Sequence, residues 1–233
     1  IRHPYSKGNG AAVKAGARAA TGQIIVFMDA DGQHQPSDIL RLLQKLRQGF
    51  DMVIGARDSK SQASLGRLAA NTLYNNLSSW MVGHKIDDLT SGFRAVVAKR
   101  FREFLYLLPN GFSYPTTSTM AFFRAGYSVS YVPIKAAERV GKSHISLSKD
   151  GIRFLLIIFK IGTLYSPLKL FTPISVAFFG LGITYYAYTY ITMERFTNMS
   201  GLLFTTGVII FLMGLVSEQV TVMQYSNNAN DRS

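Results

Sequence analysis

The chain has 233 residues, no cysteine, and 25 Lys and Arg against 13 Asp and Glu, a formal net charge of +12. Zero cysteines exclude a disulfide framework and a Cys-based zinc site. Residues 1–169 hold 23 of the 25 basic and 10 of the 13 acidic side chains, so the basic part calls for an anionic partner: nucleic acid, a phosphorylated small molecule or an acidic membrane surface.

The sequence starts at Ile1, and helix-like and strand-like patterning begins at once, so it reads as cut within a fold. Lys7-Gly8-Asn9-Gly10 opens a helical stretch, Ala11–Ala20, that Thr21-Gly22 closes. A glycine-rich turn at a helix N-terminus is a natural phosphate site, although this one lacks both the Walker spacing and G-x-G-x-x-G. Gln23–Met28 reads as a strand and runs into Asp29-Ala30-Asp31. Pro36 and Gly49 frame SDILRLLQKLRQ as an amphipathic helix. Met52–Ala56 is a second short strand, Leu65–Val82 a long helix, and Phe93–Val97 and Ser128–Pro133 are further strands. Strands alternating with helices predict an α/β layer structure with a largely parallel sheet, whose ligands gather at the carboxyl ends of the strands.

Beyond residue 149 the character changes. In DGIRFLLIIFKIGTLYSPLK, residues 150–169, Asp150 suits an N-cap, and Arg153 and Lys160 lie seven apart on one face of an otherwise apolar helix. This is the pattern of an interfacial helix, with a core helix as the competing reading. Leu170–Met193 and Phe196–Ser217 are uncharged runs of bilayer length, about 20 residues being enough for one span. Two helices, at about 170–193 and 201–225, therefore predict a transmembrane hairpin, and NNANDRS predicts a disordered polar tail within 226–233. Lys and Arg concentrate before the first span, which places the basic part and both chain ends in the cytoplasm. Glu218, toward the end of the second span, reads as structural.

Asp29 and Asp31 stand at a strand end, and hard carboxylate oxygens suit Mg²⁺ or Mn²⁺ bridged to substrate phosphates. An EF-hand also begins D-x-D but needs Gly at its sixth position and Glu at its twelfth; His34 and Leu40 stand there. An aspartyl-phosphate phosphatase wants Thr or Val where Gln33 stands. The D-x-D of a nucleotide-sugar transferase and a pair of solvated loop carboxylates both remain.

DADGQHQP, with GNGAAVKAG upstream and SGFR and ERVGKSHI downstream, resembles family 2 glycosyltransferases of the GT-A fold. It is most similar to the polyprenyl-phosphate group that includes dolichol-phosphate mannose synthase. The similarity runs through most of residues 3–225, hairpin included, while the family's opening strand with its Pro-x-Tyr-Asn-Glu turn has no counterpart. The resemblance implies a Rossmann-like GT-A domain over 1–149 lacking its first strand or strands. It also implies inverting transfer of a hexose from a UDP- or GDP-sugar to undecaprenyl or dolichyl phosphate at the cytoplasmic membrane face. Asp29 and Asp31 would hold Mg²⁺ or Mn²⁺, and Asp88, aligned with the acid of D-x-T-S-G-F-R, would complete the catalytic set. Lys7, Gly8, Gln33 and Arg57 would bind the donor, and Arg67, Arg139, Lys142, Ser143 and His144 the acceptor phosphate. Nucleic acid is not an expected partner, and homo-oligomerisation stays open. The alternatives are another lipid acceptor such as diacylglycerol, and a noncatalytic membrane-anchored basic module.

Overall fold

The computed structural model describes residues 1–57, 65–111, 113–135, 159, 162–163 and 166–230, with the side chains of 65–70 and 224–230 outside the description. The chain divides into two units, Ile1–Gly151 and Ile152–Ser233.

The first unit runs α1 (Asn9–Ala19), β1 (Ile24–Phe27), α2 (Asp38–Leu46), β2 (Met52–Arg57), α3 (Leu65–Val82), β3 (Arg94–Val97), α4 (Ala98–Arg102), α5 (Tyr114–Arg124) and β4 (Val129–Ile134). The sheet order is β1-β3-β2-β4. β2 and β4 are parallel, while β3 lies antiparallel between β1 and β2. The strands β1, β2 and β4 thus share one direction, as the alternation predicts, but the sheet is mixed. The cause is local: the segment before β3 crosses the carboxyl ends of β1 and β2, so β3 is entered from that edge, where Arg94 pairs with Phe27 and Ile54.

Side-chain alternation along β3 divides the interior between two faces. Phe93 and Ala95 pack with Leu42, Leu46, Val53, Val132 and Ile134 under α2. Arg94 projects to the other face, where it is fully buried. Its Nη1 donates to the carbonyl of Pro115 at 3.0 Å and to the hydroxyls of Ser118 at 2.8 Å and Thr119 at 3.0 Å; Nη2 donates to the carbonyl of Ser91. One guanidinium therefore joins the start of β3 to the first turn of α5. That explains a helix, YPTTSTMAFFR, whose threonines and serine are buried rather than wet. Neither α4 nor α5 is marked by an apolar period in the sequence.

The start of α1 is pinned to the 109–111 loop. The amides of Gly10 and Ala11 donate to the carbonyls of Gly111 and Asn110 at 3.2 and 3.0 Å, and Lys14 Nζ donates to the Leu108 carbonyl at 3.1 Å. The backbones touch so closely that a Cβ on Gly10 would lie 2.0 Å from the Pro109 oxygen.

The second unit contains α6 (Pro167–Met193) and α7 (Asn198–Asn230), joined through Glu194 in the left-handed region at φ 51°. Both are candidate membrane spans by length and composition. Only 11% and 17% of their most apolar windows are buried within the chain, unlike core helices, whose apolar face is covered by protein. Ser175 Oγ donates to the Gly207 carbonyl at 2.8 Å, and the Phe179 ring lies against Gly207. Glu218 Oε2 accepts from the Leu168 amide at 3.4 Å, in the first turn of α6, where the helix dipole favours a carboxylate. α7 continues through Asn230, so most of the tail expected to be disordered extends an already nucleated helix, which costs little. Most of the interfacial helix expected over 150–169 lies outside the described residues.

The contact at Gly10 has a measurable sign. Gly16 sits in the same helix with open space where a Cβ would go. Gly16→Ala should stabilise by about 0.5–1 kcal/mol from helix propensity. Gly10→Ala should destabilise by about 1–3 kcal/mol, because backbone must give way. Thermal unfolding of the chain in detergent checks both, and a stabilising Gly10→Ala would refute the packing.

Candidate functional site

β1 ends at Phe27, and the chain turns at once through Asp29-Ala30-Asp31. The Gln33 amide donates to Asp31 Oδ1 at 3.2 Å, an Asx turn that folds the segment back. His34 then stacks on Phe93 with ring centroids 4.9 Å apart. Burial lowers the His34 pKa by more than Asp29 and Asp31 raise it, so the ring is neutral at pH 7 and adds no cation beside the carboxylates. Its Nδ1 is buried without a hydrogen-bond partner among the described residues.

Asp29 faces Gly92. A Cβ there would lie 2.7 Å from Asp29 Oδ2 and 3.2 Å from the Tyr114 hydroxyl, so glycine alone leaves room for the carboxylate. Tyr114 donates to the Gly92 carbonyl at 3.0 Å. Burial pushes the Tyr114 phenol up to about 12, with Arg94 working the other way, and Tyr114 keeps the proton it donates. Tyr114 opens α5, and Arg94 fastens that turn to Ser91. The Asp29 carboxylate thus rests on a backbone held from two sides.

Asp88 is buried and grips Arg57 at the end of β2. Arg57 Nε donates to Oδ2 at 2.8 Å and Nη2 to Oδ1 at 3.0 Å, while the Arg57 amide reaches Oδ2 at 3.2 Å. The amides of Thr90 and Ser91 each donate to Oδ1 at 3.1 Å. Arg57 Nη2 also donates to Thr90 Oγ1 at 2.6 Å. Burial alone would raise the Asp88 carboxyl; the Arg57 hydrogen bonds and charge outweigh it and hold the pKa below the ordinary value. Both oxygens are occupied and the group is ionised, a poor general base and a rigid holder for a guanidinium. Sequence reasoning gave Asp88 a place among the catalytic carboxylates; in the structure both of its oxygens contact Arg57.

The other expected site residues divide. Asp29, Asp31, Gln33, Arg57 and Asp88 converge on the carboxyl edge of β1 and β2. Lys7 and Gly8 have other partners: Lys7 Nζ lies 5.3 Å from the Tyr5 ring centre, and Gly8, at φ +94°, abuts Asn110. The amides of Gly10 and Ala11 at this helix start are spent on the 109–111 loop. The Arg67 side chain, and Arg139, Lys142, Ser143 and His144 entirely, lie outside the described residues. Sequence reasoning missed Thr90, Tyr114 and Arg94. Thr90 and Arg94 lie inside D-x-T-S-G-F-R and were open to it; nothing local marks Tyr114.

Among the described residues no three His, Asp or Glu side chains gather as a metal-binding group. Two carboxylates do not make a zinc site with three or four protein ligands. They fit Mg²⁺ or Mn²⁺, which keep most of their shell for water and substrate phosphates.

Residues 1–106 match the family described as Glycosyl transferase family 2, and residues 166–223 match the GtrB C-terminal hairpin. Glycosyltransferase AglJ of Haloferax volcanii is 26% identical over 210 residues, which cover 84% of this chain and 68% of AglJ. The dolichyl-phosphate hexose transferase of the same organism is 28% identical, over 62% of this chain and 64% of that protein. The undecaprenyl-phosphate mannosyltransferase of Micrococcus luteus is 31% identical, over 53% of each chain. The matched part therefore spans about half to two-thirds of these relatives. Glucosyl-3-phosphoglycerate synthase from Mycobacterium tuberculosis, solved with phosphoglyceric acid, superposes with a TM-score of 0.52 at 19% identity, over 69% of this chain and 56% of that one. That likeness identifies the fold as GT-A-like.

The Gly92 contact makes a prediction independent of turnover. Gly92→Ala displaces the Asp29 carboxylate and should weaken Mn²⁺ binding about tenfold or more, a change of about 1.4 kcal/mol or above. Electron paramagnetic resonance of free Mn²⁺ measures it; unchanged affinity would remove Asp29 from the metal site.

Proposed function

We propose, from the match of residues 1–106 to glycosyl transferase family 2 and of residues 166–223 to the GtrB C-terminal hairpin, that the chain is a family 2 enzyme that transfers a hexose from a UDP- or GDP-sugar to a polyprenyl phosphate. The observation that carries the reading is one edge of the sheet. A carboxylate pair, Asp29 and Asp31, stands there beside a guanidinium, Arg57, clamped by Asp88. A nucleotide diphosphate and a second phosphate need that pairing: oxygen ligands for a divalent cation and a fixed cation beyond it. The names of the relatives, dolichyl-phosphate hexose transferase and undecaprenyl-phosphate mannosyltransferase among them, support the acceptor class.

In this reading Asp29 and Asp31 hold Mg²⁺ or Mn²⁺, and Gln33 lies beside the donor. A divalent cation held there would supply charge to offset that of the departing diphosphate. A phosphate oxygen of the acceptor attacks the anomeric carbon while the bond from that carbon to the diphosphate oxygen breaks, with inversion. A phosphate monoester has its second pKa near 6, so its oxygen is already anionic at pH 7 and no proton has to be removed. That agrees with an Asp88 whose oxygens are both engaged. Catalysis then rests on positioning and charge. A diacylglycerol hydroxyl would need a base, and Asp88 is poorly suited to be one.

With the complete protein in detergent, undecaprenyl phosphate and a panel of UDP- and GDP-hexoses, one donor should give a prenyl-phosphate-linked sugar. Excess EDTA should abolish the reaction, and Asp31→Asn should slow it by at least a hundredfold without unfolding the chain. Turnover undiminished in EDTA would refute the metal. Product formed on diacylglycerol and not on undecaprenyl phosphate would refute the acceptor.

The same reading places the catalytic domain and both termini in the cytoplasm and Glu194–Ser200 on the far side, as the Lys and Arg asymmetry directs. Single cysteines at Asn198 and Ser226, probed on intact cells with an impermeant thiol reagent, should label at 198 alone. Labelling at 226 alone would reverse the topology.

A further inference from the structure

Asp88 sits in a loop, outside the ladders of the four-stranded sheet. α3 stops at Val82, and the Gly83 amide donates to the Ser79 carbonyl at 2.8 Å as the chain reverses. The residues that follow run back past the last turns of α3, where two side chains one turn apart receive them. Ser79 Oγ accepts from the Ile86 amide at 2.9 Å and donates to the Asn75 carbonyl at 2.6 Å. Asn75 does more. Its Nδ2 donates to the Asp87 carbonyl at 2.8 Å, and its Oδ1 accepts from the Leu89 amide at 3.1 Å. These are the carbonyl just before Asp88 and the amide just after it. A parallel strand bonds the same two groups of the residue it faces, so one carboxamide stands in for a ladder partner at Asp88. Only one orientation of the amide serves both bonds, since one partner accepts and the other donates. At the far end of the loop, Ser91 Oγ donates to the Gly55 carbonyl of β2 at 2.7 Å. Asn75 and Ser79 hold the near end.

We propose that Asn75 is a positioning residue for the transfer reaction: it sets the backbone at Asp88 and, through that carboxylate, holds the Arg57 guanidinium still. The inference rests on the function proposed above and adds a residue that sequence reasoning did not select. Arg57 meets Asp88 through Nε and Nη2, one to each carboxylate oxygen. Two such parallel bonds survive together only while the carboxylate keeps its plane. That plane turns with the Asp88 backbone, so freedom at residues 87–89 becomes freedom of the guanidinium. The amides of Thr90 and Ser91 fold the carboxylate onto its own loop, and they move with that loop if its near end is released. The proposed reaction rests on positioning, where a misplacement of about 1 Å can cost on the order of a hundredfold in rate. A neutral amide suits the task. It fixes backbone without adding a charge beside the Asp88–Arg57 pair.

The test reads the clamp and the turnover separately. In the full chain in detergent, arginine labelled with nitrogen-15 gives each protected Nε–H a resonance, assigned by correlation to its own backbone. Its exchange with water reports how often that group is released. Arg94, fully buried and bonded to α5, serves as the reference for general loosening. Asn75→Ala should speed exchange at Arg57 Nε about tenfold or more and leave Arg94 Nε within about twofold of wild type. Asn75→Asp keeps the acceptor for the Leu89 amide and loses the donor to the Asp87 carbonyl. It should also speed exchange at Arg57 alone, and it decides the case if the alanine variant does not fold. With undecaprenyl phosphate and the productive nucleotide sugar, kcat of Asn75→Ala should fall about tenfold. Equal acceleration at Arg57 and Arg94 would make Asn75 a general brace and overturn the proposal. Unchanged exchange at Arg57, or faster exchange with an unchanged kcat, would overturn it as well. A wild-type chain with a protected Arg57 and no sugar transfer would refute the proposed function itself, a result distinct from all three.

Discussion

The site depends on one ion pair. Asp88 has 7% of its side chain exposed and Arg57 28%, and two N–H donors of the guanidinium meet the two carboxylate oxygens. Pairs so placed contribute little net stability, since desolvation offsets most of the attraction. What the pair supplies is geometry. An unclamped arginine would lose about 2 kcal/mol of side-chain freedom on meeting a phosphate; here folding has already removed it. The pH sign agrees with a permanent clamp. The folded pKa of Asp88 is depressed, so its contribution to stability is present above the ordinary carboxylate range and is lost only as pH falls through the depressed value. At neutral pH the clamp is closed.

Around that pair the fold places its supports by alternation along a single strand. Phe93 faces α2 and carries His34 on its ring, while Arg94, its neighbour, faces α5 and ties that helix to Ser91. The loop from Asp88 to Gly92 lies between these anchors, with its amides turned onto Asp88 and its glycine beneath Asp29. Asp29 and the Asp88–Arg57 pair are thereby referred to the same four-residue strand. A shift of that strand would move both together, preserving their separation. A glycine where a carboxylate must lie close, and a phenol kept protonated to hold that glycine's carbonyl, are two parts of one device.

Much of this was legible in the sequence. Short apolar runs located all four strands within a residue or so, since strands covered on both faces are apolar at successive positions, and helical patterning gave Leu65–Val82 with its observed bounds. The uncharged runs gave α6 and α7. The aspartates announced themselves through their position at a strand end. What escaped notice did so for physical reasons. α5 is buried on nearly every side, so its threonines form no apolar stripe; Thr117 and Thr119 donate to the carbonyls of Ser113 and Pro115, and the distant Arg94 adds a donor to Thr119. The Lys7–Gly10 turn has the composition of a phosphate cradle, yet its last amide, of Gly10, and the next, of Ala11, are taken by a loop a hundred residues away. The antiparallel placement of β3 follows from where its loop enters, which no local period encodes. Asp88 was found, but its role depended on a partner 31 residues earlier in the chain.

Charge accounting shows what else the proposed reaction demands. A divalent cation is neutralised by Asp29 and Asp31, and Arg57 by Asp88, so neither leaves a net positive charge. A donor diphosphate and a phosphate monoester near pH 7 bring close to four negative charges between them. Of the cations described along this edge, Arg41 is matched by Asp38 and Lys85 by Asp87, which leaves Lys135. One ammonium does not balance four charges at the low effective dielectric of a cleft. The remaining cations must arrive from further along the chain, and the sequence supplies them directly after Lys135, in Arg139 and Lys142 of ERVGKSHI. The uneven charge of the chain thus fits the proposed reaction, which brings two phosphates together.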